Sequence, residues 1–306
     1  MSARQNSSLV KTYAPPLVLV IVLAVLAAII FAVGVQQGSA SVPPVTVTDG
    51  LLLLVIGLVA GVLGGLIGTG GGSVMLPALH FWMGYPAATA VGTTLFAVIF
   101  TALSGGYGHF VRKNLDRKAV LWLGGWGILG VILGSWLFTV LSSHVALLGL
   151  ILGIAFLWPA IRMTWEGFRR PAMPQRQGNT IPEHRPGWAT FGFFIGLLTG
   201  IVGLGGGYAL VPGLIYLFGA PVYITMGTSL ATMVPLAVVG GGIKLVQGYV
   251  AIGASLLLAA GTVVGAQIGA ATIKRFNPRT LKLIFGLYFL YVALKFITNY
   301  FGIQIW

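Results

Sequence analysis

The chain alternates long apolar runs with short polar breaks. Residues 17–35 (LVLVIVLAVLAAIIFAVGV) are apolar throughout. Further runs cover 51–67, 74–83, 87–110, 119–140 and 145–165. After a polar interval they continue at 188–202, 209–219, 222–247, 251–272 and 280–301. A helix crossing the hydrocarbon core of a bilayer needs about 20 apolar residues, and the chain has room for about eight to ten such helices. Two runs, 74–83 and 209–219, are too short. About ten residues make roughly 15 Å of helix, half of that core.

The polar interval 166–187 (EGFRRPAMPQRQGNTIPEHRPG) is basic and proline-rich, the clearest boundary in the chain. It separates four regions. Residues 1–50 hold an N-terminal helix and an external linker, 51–165 a first repeat, 166–187 a cytoplasmic linker, and 188–306 a second repeat. The repeat is visible without gaps. GLVAGVLGGLIGTGGGSVMLPALHFWMGYPAATAVGTTL from Gly57 aligns with GFFIGLLTGIVGLGGGYALVPGLIYLFGAPVYITMGTSL from Gly192, 135 residues later. Gly68, Gly70, Gly71, Gly72, Pro77, Gly84, Pro86, Gly92 and Thr93 fall on Gly203, Gly205, Gly206, Gly207, Pro212, Gly219, Pro221, Gly227 and Thr228. Two unrelated apolar stretches would match Leu and Val, not punctuation residues in register. The pattern is an internal duplication.

Loop charge then orients the halves, because Lys and Arg gather in cytoplasmic loops. Arg4 and Lys11 put the N-terminus inside if the first helix is retained. A cleaved signal peptide ending near Gly38-Ser39-Ala40 is the competing reading, and in either case Asp49 lies outside. The loop with Arg112, Lys113, Arg117 and Lys118 is inside, as are the linker with Arg169, Arg170, Arg176 and Arg185 and the loop with Lys274, Arg275 and Arg279. Ser142-Ser143-His144 and Gln247-Gly248-Tyr249 are outside. Run 87–110 therefore heads inward while its counterpart 222–247 heads outward. The predicted fold is an all-α polytopic membrane protein of two inverted-topology repeats. Each has three transmembrane helices and a Gly-rich broken hairpin that enters and leaves on one side, and the chain carries one extra N-terminal helix.

Interrupted helices at the repeat interface are a recurring place for transporter ligands. Irregular backbone survives at membrane depth only when buried in protein or lining a wet cavity. Glycine permits left-handed backbone and close approach to a ligand. Each turn leads into a short arm whose first amides lack intrahelical partners and carry the positive end of the dipole, so the pair favours an anion. The candidate binding residues are Gly68, Gly70, Gly71, Gly72 and Ser73 in the first turn and Gly203, Gly205, Gly206, Gly207 and Tyr208 in the second. Thr93, Thr94, Thr228 and Ser229 follow; their hydroxyls either donate to an oxyanion or bond back to the i−4 carbonyl. Gly57, Gly61, Gly65 and Gly192, Gly196, Gly200, spaced at i+4, read as close helix packing. His80 has no counterpart in the second repeat, where Ile215 stands. It is a candidate for gating or proton transfer, or else reaches the interface. His109 and Lys244, partners in the alignment, are expected to snorkel to opposite faces.

Composition narrows the chemistry. The 57% hydrophobic and 7% charged content cannot cover a soluble surface, so lipid is the solvent. The net charge of +13 reflects topology more than ligand, and its scatter through short loops argues against nucleic acid. Without cysteine there is no thiolate metal site or cysteine nucleophile. All four acids, Asp49, Asp116, Glu166 and Glu183, fall in loops or at helix ends, which disfavours a cation pump and paired-carboxylate catalysis. No catalytic residue, metal or cofactor is expected. The expected partners are a small anionic substrate and the bilayer, with a homo-oligomer left open.

The segments GLIGTGGGSVMLPAL…GYPAATAVGTTL and GIVGLGGGYALVPGL…GAPVYITMGTSL, with NLDRKAV at Asn114 to Val120, resemble the TauE/SafE sulfite-exporter family over about residues 51–300. The resemblance implies an inner-membrane transporter of sulfite, sulfonates or related organosulfur anions, commonly exporting them, with the family's glycine turns at Gly68–Ser73 and Gly203–Tyr208. The first helix lies outside that match. Tyr249-Val250-Ala251 replaces Asn114-Leu115-Asp116 in the second repeat, so a symmetric role for Asp116 is not expected. The expected mechanism is alternating access, with the anion between the two turns. The alternatives are a passive anion channel or an uptake permease and, from another class, a membrane-embedded enzyme or assembly factor with His80 as its sole candidate side chain.

Overall fold

A computed structural model describes residues 14–27, 29, 42–168, 178, 180–272 and 278–303. Among these residues every regular element is helical. Helix α1 (Ala14–Ala27) is followed by α2 (Val47–Ile67) and by α3 (Gly72–Pro77), which widens into a π-helical stretch at Ala78–Trp82. Then come α4 (Ala87–Val111), α5 (Arg117–Ser142), α6 (Val145–Phe168), α7 (Arg185–Val202), α8 (Gly207–Phe218), α9 (Val222–Val246), α10 (Ile252–Thr272) and α11 (Pro278–Tyr300). Among the described residues, six helices are long and apolar enough to cross a membrane: α2, α4, α5, α6, α9 and α10. Leu121, Trp136, Ile154 and Trp158 point outward from α5 and α6 and are more than half exposed, a face that lipid accepts and water does not.

The ends of the elements follow local chemistry. Thr46 caps α2: its Oγ1 accepts from the Asp49 amide at 3.2 Å, while the Thr46 amide donates to Asp49 Oδ2 at 3.0 Å. Asp116 caps α5, its Oδ1 accepting from the amides of Lys118 and Ala119. Helices α2 and α7 end at Gly68 and Gly203, both left-handed, where the chain breaks off toward the short arms. The arms begin at Gly72 and Gly207, two residues before the apolar runs that mark them in the sequence.

The two halves exchange contacts reciprocally. Gly57, Gly61 and Gly65 of α2 lie against Leu258, Thr262 and Ala266 of α10, and Gly192, Gly196 and Gly200 of α7 lie against Leu123, Gly127 and Val131 of α5. Each contact maps onto its partner by the same 135-residue shift. At nearly every one of these glycines a methyl group would meet backbone of the facing helix, so these parallel pairs touch through glycine, as the i+4 spacing predicts. Helices α4 and α9, themselves equivalents, cross antiparallel: Gly105 faces Leu230 and Gly240 faces Leu95. Helices α6 and α11 also run antiparallel, with Gly153 against Ile297 and Gly167 against Leu283.

Helix α1 packs Leu23 and Ala27 on Leu256, Ala259, Ala260 and Val263 of α10. Arg4, Lys11, the Gly38-Ser39-Ala40 site, the linker residues Arg169, Arg170 and Arg176, and Lys274 with Arg275 lie outside the described residues.

Candidate functional site

The glycine turns are built from left-handed backbone. Gly68, Gly70, Gly71, Gly203, Gly205 and Gly206 all have φ between 73° and 81°. Gly71 and Gly206 immediately precede the arms. At each, any other residue would carry a left-handed penalty, and at Gly71 a Cβ would also sit 2.6 Å from the Ala60 carbonyl oxygen. The first bonds of the arms run from Val74 and Met75 back to the Gly71 carbonyl, and from Ala209 and Leu210 back to Gly206. The amides of Gly72, Ser73, Gly207 and Tyr208 lie ahead of those bonds.

The two turns pack against each other. A Cβ on Gly72 would come within 2.8 Å of the Leu204 carbonyl oxygen, and one on Gly207 within 2.6 Å of the Thr69 Cα. Thr69 and Leu204 are counterparts, so this central contact obeys the reciprocal rule of the whole fold. Gly72 and Gly207 therefore lack side chains because the backbones meet there.

Two apolar side chains wedge into the junction. The Met233 Cε and the Val98 Cγ1 approach both Gly70 and Gly205, and Met233 Sδ lies beside Gly207. Val98 and Met233 are also counterparts. Nothing in the sequence singles them out, because an apolar residue on a buried helix carries no signal. Their position in the repeat becomes meaningful only once the turns are seen to meet.

Four residues in or beside the two turns carry buried hydroxyls with no hydrogen-bond partner among the described residues: Thr69 Oγ1, Ser73 Oγ, Thr94 Oγ1 and Tyr208 Oη. Thr94 lies between Val91, which abuts Gly203, and Val98, on the same face of α4. Ser73, Tyr208 and Thr94 are candidates by sequence; Thr69 was hidden among the glycines. The other three hydroxyl candidates are engaged. Thr93 Oγ1 accepts from the Ala251 amide at 3.0 Å, and Thr228 Oγ1 accepts from the Asp116 amide at 2.9 Å. Ser229 Oγ donates to the Gly68 carbonyl at 2.8 Å. None of these three bonds back to an i−4 carbonyl. Thr93 and Thr228 anchor the starts of α10 and α5, and Ser229 braces the first turn.

His80 is half-buried in the π-helical stretch. Its Nδ1 is 2.8 Å from the Tyr85 carbonyl oxygen, and its ring stacks 5.5 Å from Phe296. His109 and Lys244 correct the expectation of snorkelling, since both are fully buried. His109 turns inward to place Nε2 3.2 Å from the Gly65 carbonyl oxygen, and Lys244 lays Nζ 3.2 Å from the centroid of the Phe138 ring. Inward partners, a carbonyl and an aromatic face, won over the interface. Asp116 also has a role that its spacing did not disclose. Its Oδ2 accepts from the Ile181 amide at 2.9 Å, fastening the end of the linker to the first turn of α5. Among the described residues no group of three or more His, Cys, Asp or Glu is arranged to hold a metal.

Comparison with known proteins adds the family. The family model for the sulfite exporter TauE/SafE matches residues 53–296. The chain is similar to the probable membrane transporter protein YdhB of Bacillus subtilis (strain 168), with 29% identity over 220 residues, covering 72% of this chain and 89% of YdhB. It is similar to YunE of the same organism, also a probable membrane transporter protein, at 26% identity over 81% of this chain and 97% of YunE. A third relative, probable membrane transporter protein MJ0441 of Methanocaldococcus jannaschii, is 27% identical over 76% of this chain and 90% of its own length. No solved structure matches.

Proposed function

This chain belongs to the sulfite exporter TauE/SafE family, and from that premise we propose that it exports a small sulfur-containing anion, sulfite or an organosulfonate, across the inner membrane by alternating access. It is a multi-pass membrane transporter and not an enzyme. The observation that carries the finer reading is the junction of the two glycine turns. There the backbones of the two turns meet at the starts of both arms, and Ser73, Tyr208, Thr69 and Thr94, in or beside the turns, carry buried unpartnered hydroxyls. Such groups donate to an oxyanion without holding a compensating charge, which lets the anion leave again.

Inverted topology is supported by the helix pairs. Equivalent helices that cross antiparallel, as α4 and α9 do, are related by an axis perpendicular to their length; with the helices spanning the bilayer, that axis lies in the membrane plane. The arms fit re-entrant hairpins, because the 12 residues of α8 extend about 18 Å and cannot cross the core. Met233 closes the space between the turns, and its unbranched thioether can swing aside at low cost. An inside-negative potential favours anion exit by roughly 2.3 kcal/mol per charge per 100 mV, so export requires no coupling ion.

The test is efflux of radiolabelled sulfite from proteoliposomes holding the full chain. Saturating flux with trans-stimulation is expected; linear flux without counter-transport would establish a passive channel instead. Ser73→Ala combined with Tyr208→Phe removes two donors to a charged ligand and should raise KM about tenfold or more. If the folded double variant moves sulfite with wild-type KM, the anion does not bind at this junction.

A further inference from the structure

Lys244 sits near the end of α9, 11 residues beyond Met233, or about 16 Å along the helix from the glycine junction. That is the end of the molecule away from the basic loop between α4 and α5, because Phe138, beneath the ammonium, lies in the last turns of α5. A lysine at this depth can reach water by extending its stem. This one is instead buried, and its Nζ has no hydrogen-bond partner among the described residues. A cation–π contact alone does not replace the hydration of a buried ammonium.

No side-chain carboxylate among the described residues pairs with it. All four acids of the sequence are committed elsewhere. Asp49 caps α2 with Thr46, and Asp116 caps α5 and holds Ile181. Glu166 pairs with Arg162, and Glu183 pairs with Arg185 and Lys118. The counterpart His109 has a partner in the Gly65 carbonyl, whereas Lys244 has none at the matching place. One turn before Phe138, on the same face of α5, Ser135 Oγ is also buried and unpartnered.

The Phe138 ring under Lys244 Nζ is itself bordered by the end of α9 and the loop after it. Tyr249 meets the Phe138 ring edge-on at 5.1 Å, and its hydroxyl pairs with Ser142 Oγ at 2.7 Å. Gln247 Nε2 donates to Thr139 Oγ1 at 3.1 Å alongside. These two polar latches join α9 and the loop after it to the end of α5. One is part-buried and the other exposed, and they are the side-chain hydrogen bonds that an opening here would have to break.

We propose that Lys244, with Ser135, forms a second oxyanion station between the glycine junction and the end of the molecule opposite the basic loop, bordered by the Phe138–Tyr249 ring pair. The inference rests on the reading of the chain as an anion transporter. In it, the permeant anion supplies the counter-charge that no side-chain carboxylate provides, and Lys244 draws the anion from the junction toward release.

The cysteine-free sequence makes the test clean. In sulfite efflux from proteoliposomes, Lys244→Met should raise KM about tenfold, and Lys244→Arg should stay within about threefold of wild type. Lys244→Cys should behave as Lys244→Met. Alkylation of that variant with 2-bromoethylamine, which rebuilds a lysine-length ammonium through a sulfite-stable thioether, should restore the wild-type KM. A wild-type KM in Lys244→Met overturns the proposal, as does failure of iodoacetate to label the Lys244→Cys thiol from either side of the membrane. If the wild-type protein moves no sulfite, the functional reading falls, and iodoacetate labelling alone then decides whether Lys244 lies on an anion-accessible path.

Discussion

At the first glycine turn the chain places Thr69 and Ser73; at the second, Leu204 and Tyr208 occupy the same positions. The left-handed glycines, the Gly72 and Gly207 close approaches, and the Thr93 and Thr228 anchors are the same in both halves. What is duplicated is what the backbone needs. What differs is polarity and charge: Asp116 against Ala251, His80 against Ile215, His109 against Lys244. A protein whose halves were chemically identical would present the same surroundings to its ligand from both sides. Here the shared backbone forms one central junction, and the side chains around it differ between the halves.

The largest effect should come from breaking the shared part. Gly71→Ala and Gly206→Ala each force a Cβ onto left-handed backbone, at about 1–2 kcal/mol. Each also presses that Cβ into packed neighbours, Ala60 or Ile195 and Thr199, for roughly another 1–3 kcal/mol. Both variants should lower the thermal midpoint in detergent strongly and by similar amounts. A normal midpoint in one and a collapse in the other would show that the turns are not structurally equivalent. Because these variants damage the fold, they are poor probes of binding, and removing hydroxyls is the better test.

Asp116 tests the divergent part. Asp116→Ala removes the cap of α5, worth about 1 kcal/mol, and strands the buried Ile181 amide at about 1–3 kcal/mol. The amide of Asp116 keeps its bond to Thr228, as Ala251 keeps its bond to Thr93. The loss should therefore total about 2–4 kcal/mol, read as a lower midpoint and faster proteolysis of the linker. Unchanged proteolysis would mean that the carboxylate serves only its helix.

The sequence discloses the turns because only glycine tolerates their backbone, so the letters survive in both copies. Loop charge assigns α4 and α9 opposite directions, and the two helices do cross antiparallel. The sequence does not disclose the Met233 and Val98 wedge, since apolar residues look alike wherever they are buried. The Asp116–Ile181 bond spans 65 residues and leaves no periodicity to read. The inward turn of Lys244 was hidden for another reason. Stem length permits both snorkelling and burial, and the choice depends on whether Phe138 offers a face beneath it.

The smallest effect is expected at His80, the most conspicuous difference by sequence. Its ring is held at both ends: Nδ1 faces the Tyr85 carbonyl oxygen, and the imidazole stacks on Phe296 within a cluster that includes Phe81. With the proton on Nδ1, where that carbonyl requires it, the ring donates one bond within its own segment and packs with the remaining face. Those are positioning contacts for the end of the first arm, and the second arm reaches its own end with Ile215 in that place. His80→Ile, which copies the second repeat into the first, exchanges one hydrogen bond of about 1 kcal/mol for added apolar packing. Stability should change by no more than about 1 kcal/mol, and sulfite flux should keep its wild-type pH profile between about pH 5.5 and 8, roughly the range in which an ordinary histidine titrates. A variant that folds normally yet loses a pH-dependent limb of that profile would instead make His80 a proton-linked gate, and the asymmetry of the arms would then be functional as well as structural.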